Sequence, residues 1–308
     1  MGAKKIRVAV LMGGPSVEHE VSLSSGKKIV AALDPSKYDV CEIVIGKDGT
    51  WPLTPAELKA AADIAFIGAM HGEYGEDGTL QKELGKIKMR YTGSGPRASA
   101  LGMDKVLAAE RFRAAGLVVP DFIELHTPLK ARNPYDFPVV VKPADRGSSV
   151  GVYIVTQESE LSQAIVKAFE VSKRVLIQRY IKGRELTCGV LEINGALKAL
   201  PVTEIVPKAE FFDYQAKYTA GGSQEITPAD LSEKITQLVQ TSALVAHRAL
   251  GCRGYSRTDF ILTPEHTLYV LEINTLPGMT ATSLVPQAAL AMEIEFPKLL
   301  DLIIDSAK

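Results

Sequence analysis

Tyr255–Gly278 reads Y-S-R-T-D-F-I-L-T-P-E-H-T-L-Y-V-L-E-I-N-T-L-P-G. Two runs rich in Phe, Ile, Leu, Val and Tyr flank the turn-like Thr263-Pro264-Glu265-His266, which predicts a strand, a short connection and a second strand. Strand side chains alternate faces, so Arg257 and Asp259 share one face, and Glu272 shares one with Asn274. If the paired strands turn those faces the same way, Asp259, Glu272 and Asn274 form an all-oxygen cluster with a cation beside it. A few hard oxygen ligands suit Mg²⁺, which keeps several waters and binds substrate phosphates. The same residues also fit the wet side of an ordinary hairpin. The hairpin alone leaves both open.

Upstream of the hairpin, Leu231, Ile235, Leu238, Val239, Val245 and Ala246 recur at helical spacing, and Thr227-Pro228 is expected to open that helix. Gly251 is expected to end it. Val206–Ile226 shows neither helical nor strand period although it is dense in Phe, Tyr and Lys, which predicts a functional loop carrying Lys217-Tyr218. Glu185–Leu191 and Ala196–Val202 read as strands. Further back, Lys142 sits in the apolar run Val139-Val140-Val141-Lys142, where an unpaired ammonium is costly. Asp145-Arg146-Gly147-Ser148-Ser149-Val150-Gly151 follows as a flexible Gly/Ser tip. Such a tip serves as a plain turn or closes over phosphates with backbone N–H groups and hydroxyls, and Lys142 at its root favours phosphates. Downstream, Ser283 precedes a helix expected near Pro286, where it caps the helix or presents its terminus to an anion.

The first third of the chain alternates strands and helices. Ile6–Met12, Tyr38–Ile45 and Ile64–Met70 are the expected strands, with helices after Gly13-Gly14-Pro15-Ser16, at Thr54-Pro55 and from Thr79. That pattern predicts βαβ units and a doubly wound parallel sheet ending near Thr92–Pro96. Gly13-Gly14-Pro15 is not G-x-G-x-x-G, which disfavours a dinucleotide-dependent dehydrogenase. The turn still places a helix N-terminus at the carboxyl edge of a sheet, where ligands bind. Glu18 and Glu20 there also fit plain complements of the helix dipole, and His71 also fits an ordinary turn histidine.

A chain of 308 residues, 46% hydrophobic and 23% charged, fits a soluble protein of two or three domains. Its net charge of −1 shows no footprint for nucleic acid or an anionic membrane surface. Cys41, Cys188 and Cys252 lack metal-type spacing and read as thiols in a reducing compartment. Ile6–Met12 is too short to cross a bilayer, so a cytoplasmic location is expected.

The blocks G-G-P-S-V-E-H-E-V-S-L, H-G-E-Y-G-E-D-G-T-L-Q, Y-T-G-S-G, M-D-K, V-V-V-K-P-A-D-R-G-S-S-V-G, D-Y-Q-A-K-Y, Y-S-R-T-D-F and L-E-I-N-T-L-P-G-M-T occur in order along the chain. Together they resemble the D-alanine–D-alanine ligase family of the ATP-grasp fold. The resemblance implies an α/β protein of three domains, a Rossmann-like residues 1–95, a central 96–182 with the phosphate lid, and a C-terminal 183–308, with ATP between two antiparallel sheets. It implies that ATP phosphorylates one D-alanine carboxylate and that a second D-alanine's amine attacks the acyl phosphate, for peptidoglycan synthesis. By the same resemblance, Asp259, Glu272 and Asn274 hold two Mg²⁺ or Mn²⁺ ions. Lys105, Lys142, Gly147, Ser148 and Ser149 surround the phosphates, while Gln178, Tyr180, Ile181 and Glu185 receive adenosine. Arg257 and the Gly278 N–H are implied to hold the oxyanion, and Glu18 the first substrate's ammonium. His71, Lys217, Ser283 and Leu284 are implied to line the substrate side. Ser148 and Tyr218 are implied to bond with Glu18 and close the site. Gln178 departs from the family's usual Glu. A homodimer without nucleic-acid or membrane partners is the implied assembly.

Rival expectations are a D-alanine–D-lactate ligase, another ATP-grasp ligase of an acid and an amine, and a nucleotide-binding regulator without turnover. The last predicts loss of a metal ligand or of the arginine, yet Arg257, Asp259, Glu272 and Asn274 are all present.

Overall fold

Residues 4–128, 132–207 and 223–308 are described by a computed structural model of the chain. Strand β1 (Ile6–Gly13) lies at the centre of a parallel sheet between β2 (Tyr38–Ile45) and β3 (Ile64–Phe66), with β4 (Arg90–Tyr91) outside β3. Val8–Met12 are all fully buried, as a strand covered on both faces requires. At its end Gly13 and Gly14 adopt φ of 87° and 91°, and a Cβ on Gly13 would lie 2.4 Å from the Ile45 carbonyl. Only glycine passes there, so the chain turns tightly into helix α1 (His19–Ala32). Helix α2 (Pro55–Ala61) starts as expected, with Thr54 and Glu57 forming a capping box and Pro55 in the first turn. The third strand is shorter than Ile64–Met70. Ile67 donates its N–H to Thr92 Oγ1 at 3.1 Å and Met70 to the Ile67 carbonyl at 2.9 Å, so the last residues are buried without joining the ladder.

After helices α3 (Thr79–Lys86), α4 (Pro96–Met103) and α5 (Lys105–Ala114) comes a four-stranded antiparallel sheet. Its order is β5 (Phe122–Leu125), β8 (Val175–Arg179), β6 (Val139–Pro143) and β7 (Tyr153–Val155). Helix α6 (Glu158–Phe169) buries Leu161, Ala164, Ile165 and Ala168 against it. The larger antiparallel sheet runs β12 (Ser223–Ile226), β11 (Thr203–Pro207), β9 (Arg184–Ile193), β13 (Tyr255–Leu262) and β14 (Leu268–Asn274), with β10 (Ala196–Ala199) paired to β9. The ends of Val206–Ile226 are therefore strands, contrary to the aperiodic expectation, and residues 208–222 lie outside the described ones. Their pattern is short and edge-like, which periodicity detects poorly.

Helix α7 (Glu233–Leu250) covers this sheet and starts later than Thr227-Pro228 predicts. Ser232 is the cap, accepting from the Ile235 N–H, while the Ala229 N–H is tied to the Val202 carbonyl at 2.8 Å. Helix α8 (Leu284–Leu290) starts two residues before Pro286, and Ser283 occupies its cap position without a side-chain cap bond. Helix α9 (Phe296–Asp305) returns to the first sheet, burying Leu299, Leu300, Leu302, Ile303 and Ile304 in the core of Val8–Met12. Asp301 fastens it, accepting from Lys37 Nζ at 2.7 Å and the Tyr38 hydroxyl at 2.8 Å. The three sheets are built from residues 6–91, 122–179 and 184–274, and the end of the chain packs into the core of the first.

Candidate active site

Two cavities meet where the three sheets converge. The smaller, about 380 Å³, lies between the carboxyl edge of the parallel sheet and the β13–β14 hairpin. The larger, about 850 Å³, lies between the two antiparallel sheets. Lys105, Ser149, Ile205 and Glu272 line both, so a molecule in one reaches the other there.

The hairpin pairs Arg257 with Asn274 and Asp259 with Glu272. Directly opposed strand residues face the same way, so the four polar side chains crowd one face. The register shifts after Asp259, a bulge that ends the regular ladder beside the site. Arg257 grips Asp259 with two bonds, Nε to Oδ1 and Nη2 to Oδ2, both 2.9 Å. Thr187, opposite Asp259 on β9, adds its hydroxyl to Oδ1 at 2.6 Å. Glu272 Oε2 lies 3.3 Å from Lys105 Nζ, which also donates to the Arg146 carbonyl at 2.6 Å. Asn274 Oδ1 accepts from the Leu276 N–H at 2.9 Å and turns the chain toward Gly278. A Cβ on Gly278 would stand 3.0 Å from Ser283 Oγ, so glycine lets the Ser283 turn pack against it. Ser283 Oγ accepts from the Thr280 N–H at 3.2 Å, and Leu284 lies beside it in the smaller cavity.

Across the smaller cavity, Glu18 occupies the cap position of α1 but makes no cap bond. Its Oε1 accepts instead from Ser148 Oγ at 3.0 Å. Burial, reinforced by the nearby charge of Glu76, raises the Glu18 carboxyl above the ordinary glutamate range, and the Ser148 hydroxyl opposes that rise. His71 is buried, with Nε2 3.0 Å from Ser25 Oγ and Nδ1 3.9 Å from Glu76 Oε1.

Ser148 and Ser149 carry the lid across both cavities with successive φ of 53° and 57°. Left-handed residues are uncommon outside glycine and cluster at ligand clamps. Gly147 lines the smaller cavity. In the larger, Lys142, Gln178, Tyr180, Ile181 and Glu185 sit among the apolar side chains Val140, Ile261 and Leu271. Lys217 and Tyr218 lie outside the described residues.

Several residues at the site escaped the sequence. Glu76 follows His71 by five residues in the same turn, and that spacing of two ionisable groups was an available signal. Ser25, Thr187 and Arg146 carried none, because their partners come from other elements. The cysteines take no part. Burial pushes the Cys188 and Cys252 thiols up to about 12, leaving them unreactive near neutrality.

A cavity between two antiparallel sheets, roofed by a Gly/Ser lid and opening past lysines onto a small polar pocket, defines an ATP-grasp enzyme. Models of the D-ala D-ala ligase N-terminus and C-terminus match residues 7–62 and 112–305. A D-alanine–D-alanine ligase of Geotalea uraniireducens is 44% identical over 307 residues, covering 99% of this chain and 96% of its own. The solved D-alanine–D-alanine ligase of Bacillus anthracis complexed with ATP is 35% identical with a TM-score of 0.83, covering 98% of this chain and 97% of that one. The VanG D-Ala:D-Ser ligase of Enterococcus faecalis is 29% identical with a TM-score of 0.84, covering 98% and 99%. The chain belongs to the D-alanine–D-alanine ligase family.

Proposed function

We propose that this enzyme joins two D-alanines at the expense of ATP, giving D-alanyl-D-alanine, ADP and phosphate. The observation that supports the reading best is the meeting of the two cavities at Lys105 and Glu272, beside the Arg257–Asp259 fork. A nucleotide in the larger cavity then presents its terminal phosphate to a carboxylate in the smaller.

A carboxylate is a poor acyl donor, and transfer of a phosphoryl group needs positioning and charge neutralisation above all. Glu18 receives the first substrate's ammonium and so directs its carboxylate toward the junction. That carboxylate attacks the terminal phosphorus, ADP leaves, and a D-alanyl phosphate forms. Lys105 and Lys142 neutralise phosphate oxygens under the lid, and Ser148 bonded to Glu18 excludes water that would hydrolyse the acyl phosphate. The second D-alanine, its carboxylate received at Ser283 and Leu284, attacks through its amine. Arg257 and the Gly278 N–H meet the oxyanion, the amine loses a proton, and phosphate departs.

The donor set at the hairpin fits magnesium or manganese. Asp259 and Glu272 are paired carboxylates with an amide oxygen at Asn274, and neither carboxylate stands without a compensating cation. Hard oxygen donors in that number suit ions that complete their shell with phosphate oxygens. When bound there, such ions neutralise the charge that builds on the transferring phosphoryl group. Among the described residues, no group of three or more His, Cys, Asp and Glu side chains offers another metal site. We carry the divisions near residues 95 and 182, the roles of His71, Lys217 and Tyr218, a homodimer and a cytoplasmic location on the family resemblance. No helix among the described residues is long and apolar enough to cross a membrane.

The test is phosphate release from ATP with a panel of D- and L-amino acids and D-lactate, with products separated. D-alanine alone is expected to sustain turnover and yield the dipeptide. A dominant D-alanyl-D-lactate or D-alanyl-D-serine product, when D-alanine is also present, would overturn the assignment.

A further inference from the structure

The turn of residues 71–78 serves two places at once. His71 and Glu76 line the smaller cavity with Glu18 and Arg257, whereas Glu73 between them is turned outward and pairs with Arg146 of the lid. Two residues in the left-handed region make those reversals, Gly72 at φ 75° and Tyr74 at φ 76°. Space demands the first, since a Cβ on Gly72 would lie 2.2 Å from Ser16 Oγ and 2.9 Å from Glu18 Oε2. The second is a tyrosine, which holds this backbone only against a steric cost that glycine avoids. Such strain persists where the surroundings over-determine it.

The surroundings of Tyr74 do so at both ends. Its N–H donates to Asp77 Oδ2 at 3.1 Å and its carbonyl accepts from the Leu80 N–H at 3.0 Å, which ties its backbone to the start of α3. Its hydroxyl accepts from Trp51 Nε1 at 2.8 Å, in the connection between β2 and α2, and donates to Glu83 Oε2 on α3. Burial first, and the Glu83 bond second, hold the phenol proton far above the ordinary tyrosine range. The sense of the chain from Trp51 through Tyr74 to Glu83 is therefore fixed at any working pH. Among the described residues that line the two cavities, Tyr74, Trp51 and Glu83 do not figure, so their effect on the reaction passes through the turn.

We propose that Tyr74 is a positioning residue for D-alanine: its hydroxyl, clamped between Trp51 and Glu83, sets the direction in which the turn presents His71 and Glu76 to the smaller cavity and Glu73 to the lid. The proposal rests on the reading of that cavity as the D-alanine site. A glycine at this position would supply the reversal without the clamp, and the turn would then be free to swing. Misplacing a positioned group by about 1 Å costs up to about a hundredfold in rate, even when the change is made far from the reacting atoms.

Tyr74→Phe keeps the ring and the backbone strain and removes the hydroxyl alone. Its kcat/KM for D-alanine is expected to fall at least about tenfold, with more ADP released per dipeptide, while KM for ATP stays within about threefold. Trp51 is the only tryptophan of the chain, so its emission reads the bond directly and is expected to shift in Tyr74→Phe. Glu83→Gln still accepts from the hydroxyl and is expected to stay within about threefold of the wild type, whereas Glu83→Leu accepts nothing and is expected to match Tyr74→Phe. Should Tyr74→Phe not fold, the two Glu83 variants decide. A kcat/KM for D-alanine in Tyr74→Phe within about threefold of the wild type overturns the proposal. So does an unchanged Trp51 emission, a KM for ATP that rises as far as that for D-alanine, or equal losses in Glu83→Gln and Glu83→Leu. A wild type without D-alanine-dependent turnover overturns the ligase reading, and calorimetric binding of D-alanine in the presence of ADP then decides the role of Tyr74 by the same ratios. Wild-type protein that neither turns over nor binds D-alanine overturns both.

Discussion

At the scale of single residues the site is governed by how charges are compensated before substrate arrives. Arg257 is spent on Asp259, Lys105 on Glu272 and a lid carbonyl, and Ser148 on Glu18. Glu18 is the exception, since a hydroxyl compensates its charge only weakly and Glu76 works against it. Its carboxyl is raised first by burial and second by Glu76, so it protonates at a higher pH than an ordinary glutamate. The ionised form is the one that holds an ammonium. The acid limb of kcat/KM for D-alanine is therefore expected above the usual glutamate pKa of about 4.3. Removing the neighbouring charge with Glu76→Gln lowers the Glu18 pKa and moves that limb to lower pH. A limb that stays in place or moves up in Glu76→Gln would show that Glu76 does not act on Glu18. A pH–rate profile from about pH 4.5 to 8 on both proteins settles the sign.

At the scale of elements, the lid is fastened at more than one point. Besides Ser148 on Glu18, Arg146 donates through Nε to the Val171 carbonyl at 2.8 Å and pairs through Nη1 with Glu73 of the His71 turn. The pair is partly exposed, its side chains 34% and 58% accessible, so it adds at most about 1 kcal/mol. That is negligible for folding but worth up to about fivefold in the closed population of a lid. Arg146→Glu is expected to raise ADP release uncoupled from dipeptide formation severalfold. The exchange Arg146→Glu with Glu73→Arg is expected to restore coupling, with the restoration weakening in high salt. If the ratio of ADP to dipeptide is the same in the single variant as in the wild type, the pair is no latch. Neither partner was legible in the sequence, and the reason is general. The hairpin bearing Arg257, Asp259, Glu272 and Asn274 is contiguous, so alternation alone aligned its site residues. Glu18 and Ser148 are 130 residues apart, and no local pattern speaks to such a contact. For the boundaries, Thr227-Pro228 imitates a helix start, but the chain delays the helix until Ser232 caps it, and Ile67–Met70 imitate a strand by being buried. Local chemistry places an element; its ends are set by where the backbone bonds go.

At the scale of the molecule, the sheet that carries the site leans on one buried histidine. His247 in α7 is fully buried, with Nδ1 2.7 Å from Ser256 Oγ and, among the described residues, no partner for Nε2. Ser256 adjoins Arg257 on β13, so this contact lies directly behind the site. Burial, with the adjacent Arg248 charge adding to it, holds the His247 pKa down to about 4, while a bond with the Cys252 backbone slightly opposes the shift. In the unfolded chain the imidazole titrates near its ordinary value of about 6.5, so as pH falls the unfolded state takes up the proton first. The stability held above about pH 6.5 is therefore lost progressively down to about pH 4, by roughly 3 kcal/mol in all and roughly 2 kcal/mol by pH 5. Asp63, held down to about 2 by Arg7, titrates below this window and does not imitate the effect. Urea unfolding at pH 7.5 and 5 is expected to show that loss in the wild type. In His247→Gln, which keeps an amide for Ser256 but binds no proton, the stability at pH 7.5 falls by about 1–3 kcal/mol through the altered packing. Its further loss on acidification shrinks by most of the wild-type difference. An undiminished acid slope in that variant would place the proton uptake elsewhere. The expected result ties the acid limit of turnover to two separable events, protonation of Glu18 at the substrate and weakening of the α7–β13 contact behind Arg257, which the Glu76→Gln and His247→Gln variants move independently.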